Sequence, residues 1–148
     1  MISARHLMLG YLERAAHQSA SLFAPTGTLE FPYFGSIGLP PVLKGPANIE
    51  KFLGFLRDTL YPGFKFEKVI IHIETAHQVF AEYHIINRSG VSGKNVKQQF
   101  FGHLMAYQGR IQRLVEANDV IVAAEAIFPR GLAAIAEGKV SWEKFLRN

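Results

Sequence analysis

The chain has 148 residues, 49% of them hydrophobic and 19% charged, which makes one domain with a substantial core and excludes a disordered chain. It contains no cysteine, so a disulfide framework, a zinc finger and a cysteine nucleophile are excluded, and a cytoplasmic location is expected. The net charge of +4 is small and its basic residues, among them Lys65, Lys68, Arg88, Lys94, Lys97, Arg110 and Arg113, are scattered, so neither a nucleic-acid partner nor, with no apolar run near ~20 residues, a membrane span is expected.

Ser3 is placed to cap a first helix from about Ala4 to Ser21, with Leu7, Tyr11, Leu12, Ala15 and Leu22 at helical spacing. The helix ends at Leu22-Phe23-Ala24-Pro25, Thr26-Gly27 reads as a turn, and Thr28 to Phe31 as a short strand stopped by Pro32. Residues 32–46 form a loop rich in glycine and proline, either a pocket rim or a rigid surface crossing. A second helix is predicted from about Pro46 to Leu60, with Ile49, Phe52, Leu53, Leu56 and Leu60 as its stripe. Beyond Tyr61-Pro62-Gly63 the period falls to two, and strands are predicted at Phe64–Glu74, Gln78–Asn87, Val96–Tyr107 and Arg110–Asp119. Gln108-Gly109 is the tight turn of the last hairpin. A helical tail follows, around Arg130 to Glu137 and Ser141 to Arg147. This order implies a single α+β domain, with a core of about residues 4–128 and a tail of 129–148: a cone-shaped, curved antiparallel sheet covered by N-terminal helices. Such cones hold ligands.

Several segments resemble the nuclear transport factor two-like superfamily, closest to its SnoaL-like branch and the phenazine-biosynthesis A/B proteins. Leu22-Phe23-Ala24-Pro25-Thr26-Gly27-Thr28-Leu29-Glu30-Phe31-Pro32-Tyr33 is similar to the opening "LFA-D-G-V-E-F-P". Leu43-Lys44-Gly45-Pro46-Ala47-Asn48-Ile49 resembles the start of the covering helix, and Tyr61-Pro62-Gly63-Phe64-Lys65-Phe66 resembles the "LPGFRF" step into the sheet. Gly109-Arg110-Ile111 with Val115-Glu116-Ala117-Asn118-Asp119 resembles "G-R-I…R-E-F-M-N". The likeness spans roughly Leu7 to Ile127. It implies a cystatin-like α+β barrel that acts on small molecules without a cofactor, although the superfamily also includes inert binding modules.

The departures bear on activity. The catalytic aspartate of the ketosteroid isomerases, in "E-D-P", falls on Phe31, and their protonated aspartate falls on Phe101. The helix histidine of the phenazine-type proteins falls near Leu53. A functional glutamate of that group falls on Glu116, and a helix-borne tyrosine of the isomerases falls on Tyr11.

An uninterrupted hairpin about Gln108-Gly109 pairs His103 with Leu114 and Phe101 with Glu116. That register puts Phe101, His103, Met105, Leu114, Glu116 and Asn118 on one face, and Phe100, Gly102, Leu104, Val115 and Ala117 on the other. The expected catalytic pair is Glu116 and His103, with Tyr11, Phe31, Tyr33, Leu53, Leu56, Phe101, Leu114 and Asn118 binding a small apolar or carbonyl-bearing molecule. The pair serves either as general acid and base or simply to satisfy buried polarity. The opposite face is the expected surface of a homodimer. Three functions are consistent with these residues: an isomerase, cyclase or dehydratase, a hydrophobic-ligand carrier, and a dimeric scaffold. No metal site is expected, since His72 and Glu74 lack a third ligand at suitable spacing.

Overall fold

The computed structural model describes residues 1–133. Within them lie α1 (Ala4–Glu13), α2 (Ala16–Ala20), β1 (Phe23–Glu30), β2 (Val42–Lys44), α3 (Pro46–Phe55), β3 (Phe66–Glu74), β4 (Gln78–Arg88), β5 (Asn95–Tyr107), β6 (Arg110–Asn118) and α4 (Val120–Ile127). The tail helices expected around residues 130–137 and 141–147 lie outside the described residues but for the first four positions.

The fold is α+β, with a curved six-stranded sheet in the order β2-β1-β6-β5-β4-β3. All neighbours are antiparallel except β1 and β6, which run parallel. That parallel pair ties the N-terminal strand to the last one and leaves β2 and β3 as edges.

The first helix is shorter than its periodicity implies. Ser3 accepts from His6 N–H at its start, but Arg14 is extended and α2 begins afresh at Ala16. Tertiary partners take the carbonyls that a longer helix would use. Ser19 Oγ donates to the Tyr11 and Arg14 carbonyls, and the Arg57 guanidinium also donates to Arg14. The stripe of α1, Ala4, Leu7, Met8, Tyr11 and Leu12, is buried against the sheet.

Three other elements differ from the sequence reading. Leu22-Phe23-Ala24-Pro25 does not end a helix and Thr26-Gly27 is not a turn between elements: residues 23–27 belong to β1 and hold a register shift, where Gly27 lies too close to the Ile111 carbonyl for a side chain. β2 is hidden in the Gly/Pro-rich loop and pairs with β1. The α-helical part of the second helix stops at Phe55, and Leu56–Leu60 make one π-helical turn. After β6, Asp119 accepts from Ile121 and Val122 N–H and caps α4, which buries Ala123, Ala124, Ala126 and Ile127. The helices and the inner face of the sheet enclose one hydrophobic core.

Candidate active site

Glu116 lies on the inner face of β6 and is 2% exposed. Its two oxygens are held from opposite sides. Tyr11 Oη, from α1, donates to Oε1 at 2.6 Å, and Tyr83 Oη, from β4, donates to Oε2 at 2.6 Å. Tyr83 reaches this carboxyl by crossing β5 at Gly102, the register partner of Glu116. A β-carbon at 102 would collide with the Tyr83 hydroxyl. The missing side chain is therefore the space that the hydroxyl uses.

Burial removes water from the carboxylate and pushes the Glu116 pKa up, while the two tyrosine donors oppose this by stabilising the charge. Desolvation wins, and the value settles at about 7. Tyr11 and Tyr83 are both raised well above the usual phenol range, first by burial and then by the negative charge of Glu116. They therefore remain donors near neutrality.

Beside the carboxyl is a narrow cavity of about 20 Å³, room for about one water-sized group. Its walls are almost wholly apolar and include Phe31, Phe34, Phe52, Leu56, Phe66 and Phe100. Leu60 and Ile127 complete the greasy lining, and Gln98 joins Glu116 as a polar wall residue. The amide of Gln98 is buried, and its Oε1 accepts from Tyr61 Oη at 2.9 Å.

The expected pairing of Glu116 with His103 does not occur. Tyr107 pairs with Arg110 and Ala106 with Ile111, but the next pair is Met105 with Arg113. Gln112 is the extra residue of a β-bulge. Beyond it Gly102, not Phe101, faces Glu116, and Leu104, not His103, faces Leu114. A one-residue shift inverts the faces of β5 relative to β6. His103 and Phe101 therefore lie on the outer face, where His103 meets Gln78 at 2.9 Å and Phe101 stacks on Phe80. Phe100, Gly102 and Leu104 take the inner positions.

Of the remaining candidates, Phe31 and Leu56 line the cavity, and Phe31 stacks on Phe34 at 4.6 Å. Leu53 and Leu114 are buried in the core. Asn118 pairs with Phe100 on the Glu116 side, and its Oδ1 is buried without a partner among the described residues. Tyr33 is 57% exposed and points to solvent rather than into the cavity. Glu30 is ion-paired: Arg113 donates two hydrogen bonds to it and holds its carboxyl below the usual range. His72 turns to Glu82, and Glu74 to Arg5. Among the described residues no three His, Asp or Glu side chains gather as a metal site.

Tyr83, Gln98 and Tyr61 are site residues that sequence reasoning missed. A signal exists for Gln98, the polar member of the alternating set Val96, Gln98, Phe100, Gly102 and Leu104, whereas Tyr83 sits in Val79, Ala81, Tyr83 and Ile85, an ordinary alternating core face.

No family model matches the chain, and no curated protein matches it. Solved structures do match. A phenazine biosynthesis-related protein from Pseudomonas aeruginosa superimposes with a TM-score of 0.68 at 14% identity, covering 83% of each chain. TerC, crystallised with polyporic acid, gives 0.67 at 19% identity over 83% of this chain and 96% of its own. A protein of Catenulispora acidiphila with a ketosteroid isomerase-like fold, crystallised in complex with trimethylamine, gives 0.65 at 12% identity over 86% and 96%. The chain has the ketosteroid isomerase-like fold. Among the described residues no helix is long and apolar enough to cross a membrane.

Proposed function

We propose that this protein binds a small, mostly apolar, carbonyl-bearing molecule in the Glu116 cavity, which widens to admit it, and moves protons on it without a cofactor, as an isomerase, cyclase or dehydratase does. The observation that carries the proposal is one buried carboxyl group, held by two tyrosines at the wall of an apolar cavity, with a pKa of about 7. A group poised near neutrality exists in both protonation states and so can take a proton from carbon and return it. In this scheme the Glu116 carboxylate accepts the proton α to the carbonyl, the C–H electron pair passes into an enolate, and the carboxyl delivers the proton back to carbon. Tyr11 and Tyr83 fix the carboxyl and restrain its basicity. Phe31, Phe34 and Leu56 exclude water.

The test needs no knowledge of the natural substrate. In D₂O the protein should accelerate deuterium uptake at the α-carbon of a ring ketone such as 1-tetralone, read by NMR, and Glu116→Gln should abolish the acceleration. Equal rates in the two proteins would refute the role of Glu116. One feature favours a second reading, a carrier that leaves its ligand unchanged: both carboxyl oxygens already accept a hydrogen bond. Ketone binding with no exchange above background would support that reading.

The outer face of the sheet is proposed as the contact between two copies. The stacked Phe80 and Phe101, with exposed Ile73 and Ile86 on neighbouring strands, support it. Sedimentation should give a dimer that Phe101→Glu weakens, and a monomer at tens of micromolar would overturn it.

A further inference from the structure

Protonation gives Glu116 an O–H of its own, and a buried donor needs an acceptor. Tyr11 and Tyr83 each aim a proton at one of the carboxyl oxygens. The carboxyl proton therefore has to leave along a direction that neither tyrosine occupies. Bulk water is not at hand, because Glu116 is buried and the cavity beside it is almost wholly apolar, with room for about one water-sized group. Among the described residues three buried side-chain atoms have no hydrogen-bond partner: Arg57 Nε, His84 Nδ1 and Asn118 Oδ1. Arg57 Nε offers only a donor. His84 lies on the outer face of β4, opposite to Val79, Ala81, Tyr83 and Ile85. Asn118 Oδ1 is an acceptor on the inner side. Asn118 pairs with Phe100 as Glu116 pairs with Gly102, so the two side chains leave β6 on the same face, two positions apart. That is about 7 Å of strand. Side chains bridge such a step in this molecule: on β1, Thr28 Oγ1 donates to Glu30 Oε1 at 2.8 Å. The amide of Gln98 is already engaged, since its Oε1 accepts from Tyr61.

We propose that Asn118 is the positioning residue of the Glu116 proton: its Oδ1 accepts the hydrogen bond of the protonated carboxyl and fixes where that proton sits. The inference rests on Glu116 being the group that gains and loses a proton, but not on turnover of a ligand. Asn118 acts against the two tyrosines. They donate to the carboxylate and stabilise its charge, whereas an acceptor stabilises the acid and turns a dipole of the wrong sign toward the ion. Burial already favours the acid, and Asn118 gives that acid a partner for its proton. Other groups near the carboxyl do not supply one. Tyr11 on α1 and Tyr83 on β4 are donors to it, and Arg57, beyond α3, acts through its charge on Tyr11. β1, β3 and α4 present Phe31, Phe66 and Ile127.

The test is a titration of the protein alone by difference infrared spectroscopy, with Glu116→Gln as the blank. Asn118→Leu deletes the acceptor and should lower the Glu116 midpoint from about 7 by roughly one pH unit. Loss of a tyrosine donor acts in the opposite direction. The C=O band of the protonated carboxyl should also shift in this variant, because its O–H has lost a partner. Asn118→Val removes the acceptor with a smaller side chain that suits a strand; it should do the same and guards against a folding defect in the leucine variant. Asn118→Asp keeps an acceptor oxygen and should hold the midpoint at or above the wild-type value. Where the wild-type protein exchanges deuterium into 1-tetralone, the pH profile of the Asn118→Leu rate should move to lower pH with the midpoint. A midpoint that does not fall in a folded apolar variant would confine Asn118 to ending β6 and overturn the inference. A Glu116 that does not titrate near neutrality would remove both this inference and the proton-transfer proposal. Absent exchange by a protein whose Glu116 does titrate would remove only the latter.

Discussion

A hydrogen bond to a carboxylate favours its charged form, so the two tyrosines lower the Glu116 pKa while burial raises it. Removing either donor leaves burial less opposed. Tyr83→Phe and Tyr11→Phe should each raise the titration midpoint of Glu116 above about 7 by roughly one unit. The carboxyl C=O stretch in difference infrared spectra, followed against pH, reports this directly. A midpoint that stays put in both variants would mean that the tyrosines do not govern the proton affinity. At this scale the sequence was uneven. Glu116 was legible through its place in a motif, and Tyr11 through its helix stripe. Tyr83 was not, because Val79, Ala81, Tyr83 and Ile85 alternate as an ordinary core face, and nothing local reveals that one hydroxyl crosses to the next strand but one.

Strands deliver these groups, and the delivery depends on one irregular residue. The turn at Gln108-Gly109 has both central residues at positive φ, as a tight hairpin requires, so the sequence placed the turn correctly. The bulge at Gln112 was not legible, since no glycine or proline marks it, and it decides which face of β5 looks inward. Deleting Gln112 would make the ladder unbroken while leaving Met105 paired with Arg113 and Gly102 with Glu116, so the inward and outward faces would be kept. The deletion variant should therefore keep cooperative unfolding and its near-ultraviolet circular dichroism, and loss of both would show that the bulge is needed for more than register. Gly102→Ala tests the same junction more gently. The added methyl group meets the Tyr83 hydroxyl and should destabilise the fold by about 1–3 kcal/mol in chemical denaturation. The penalty should shrink in a Tyr83→Phe background, where the nearest clashing atom is gone. Equal penalties in both backgrounds would show that residue 102 does not act on that hydroxyl.

Across the whole molecule, the order of elements made the α+β architecture readable, because a change of period from 3.6 to 2 is a global signal. The partnership of β1 with β6 was harder to see, since parallel neighbours far apart in the chain leave no local mark. α4 was harder still: Val120 to Ile127 is apolar almost throughout and its helical face cannot be distinguished from a strand by periodicity. Both features close the core over Glu116, and closure has a consequence for stability. The unfolded chain binds the Glu116 proton with the ordinary pKa of 4.5, while the folded chain binds it with a pKa of about 7. Folding thus favours the protonated carboxyl. The contribution is complete below pH 4.5, declines as the pH rises toward 7, and is gone above it, a total of about 3 kcal/mol. Glu30 acts in the opposite sense, because Arg113 lowers its pKa, and its effect falls in more acidic solution than this window. The difference in unfolding free energy between wild type and Glu116→Gln isolates the one carboxyl. Measured by urea denaturation, it should move against the wild type by about 3 kcal/mol between pH 4.5 and pH 8. A difference that is flat across that range would mean that the carboxyl is not held in a desolvated site, and the proton-transfer proposal would lose its physical basis.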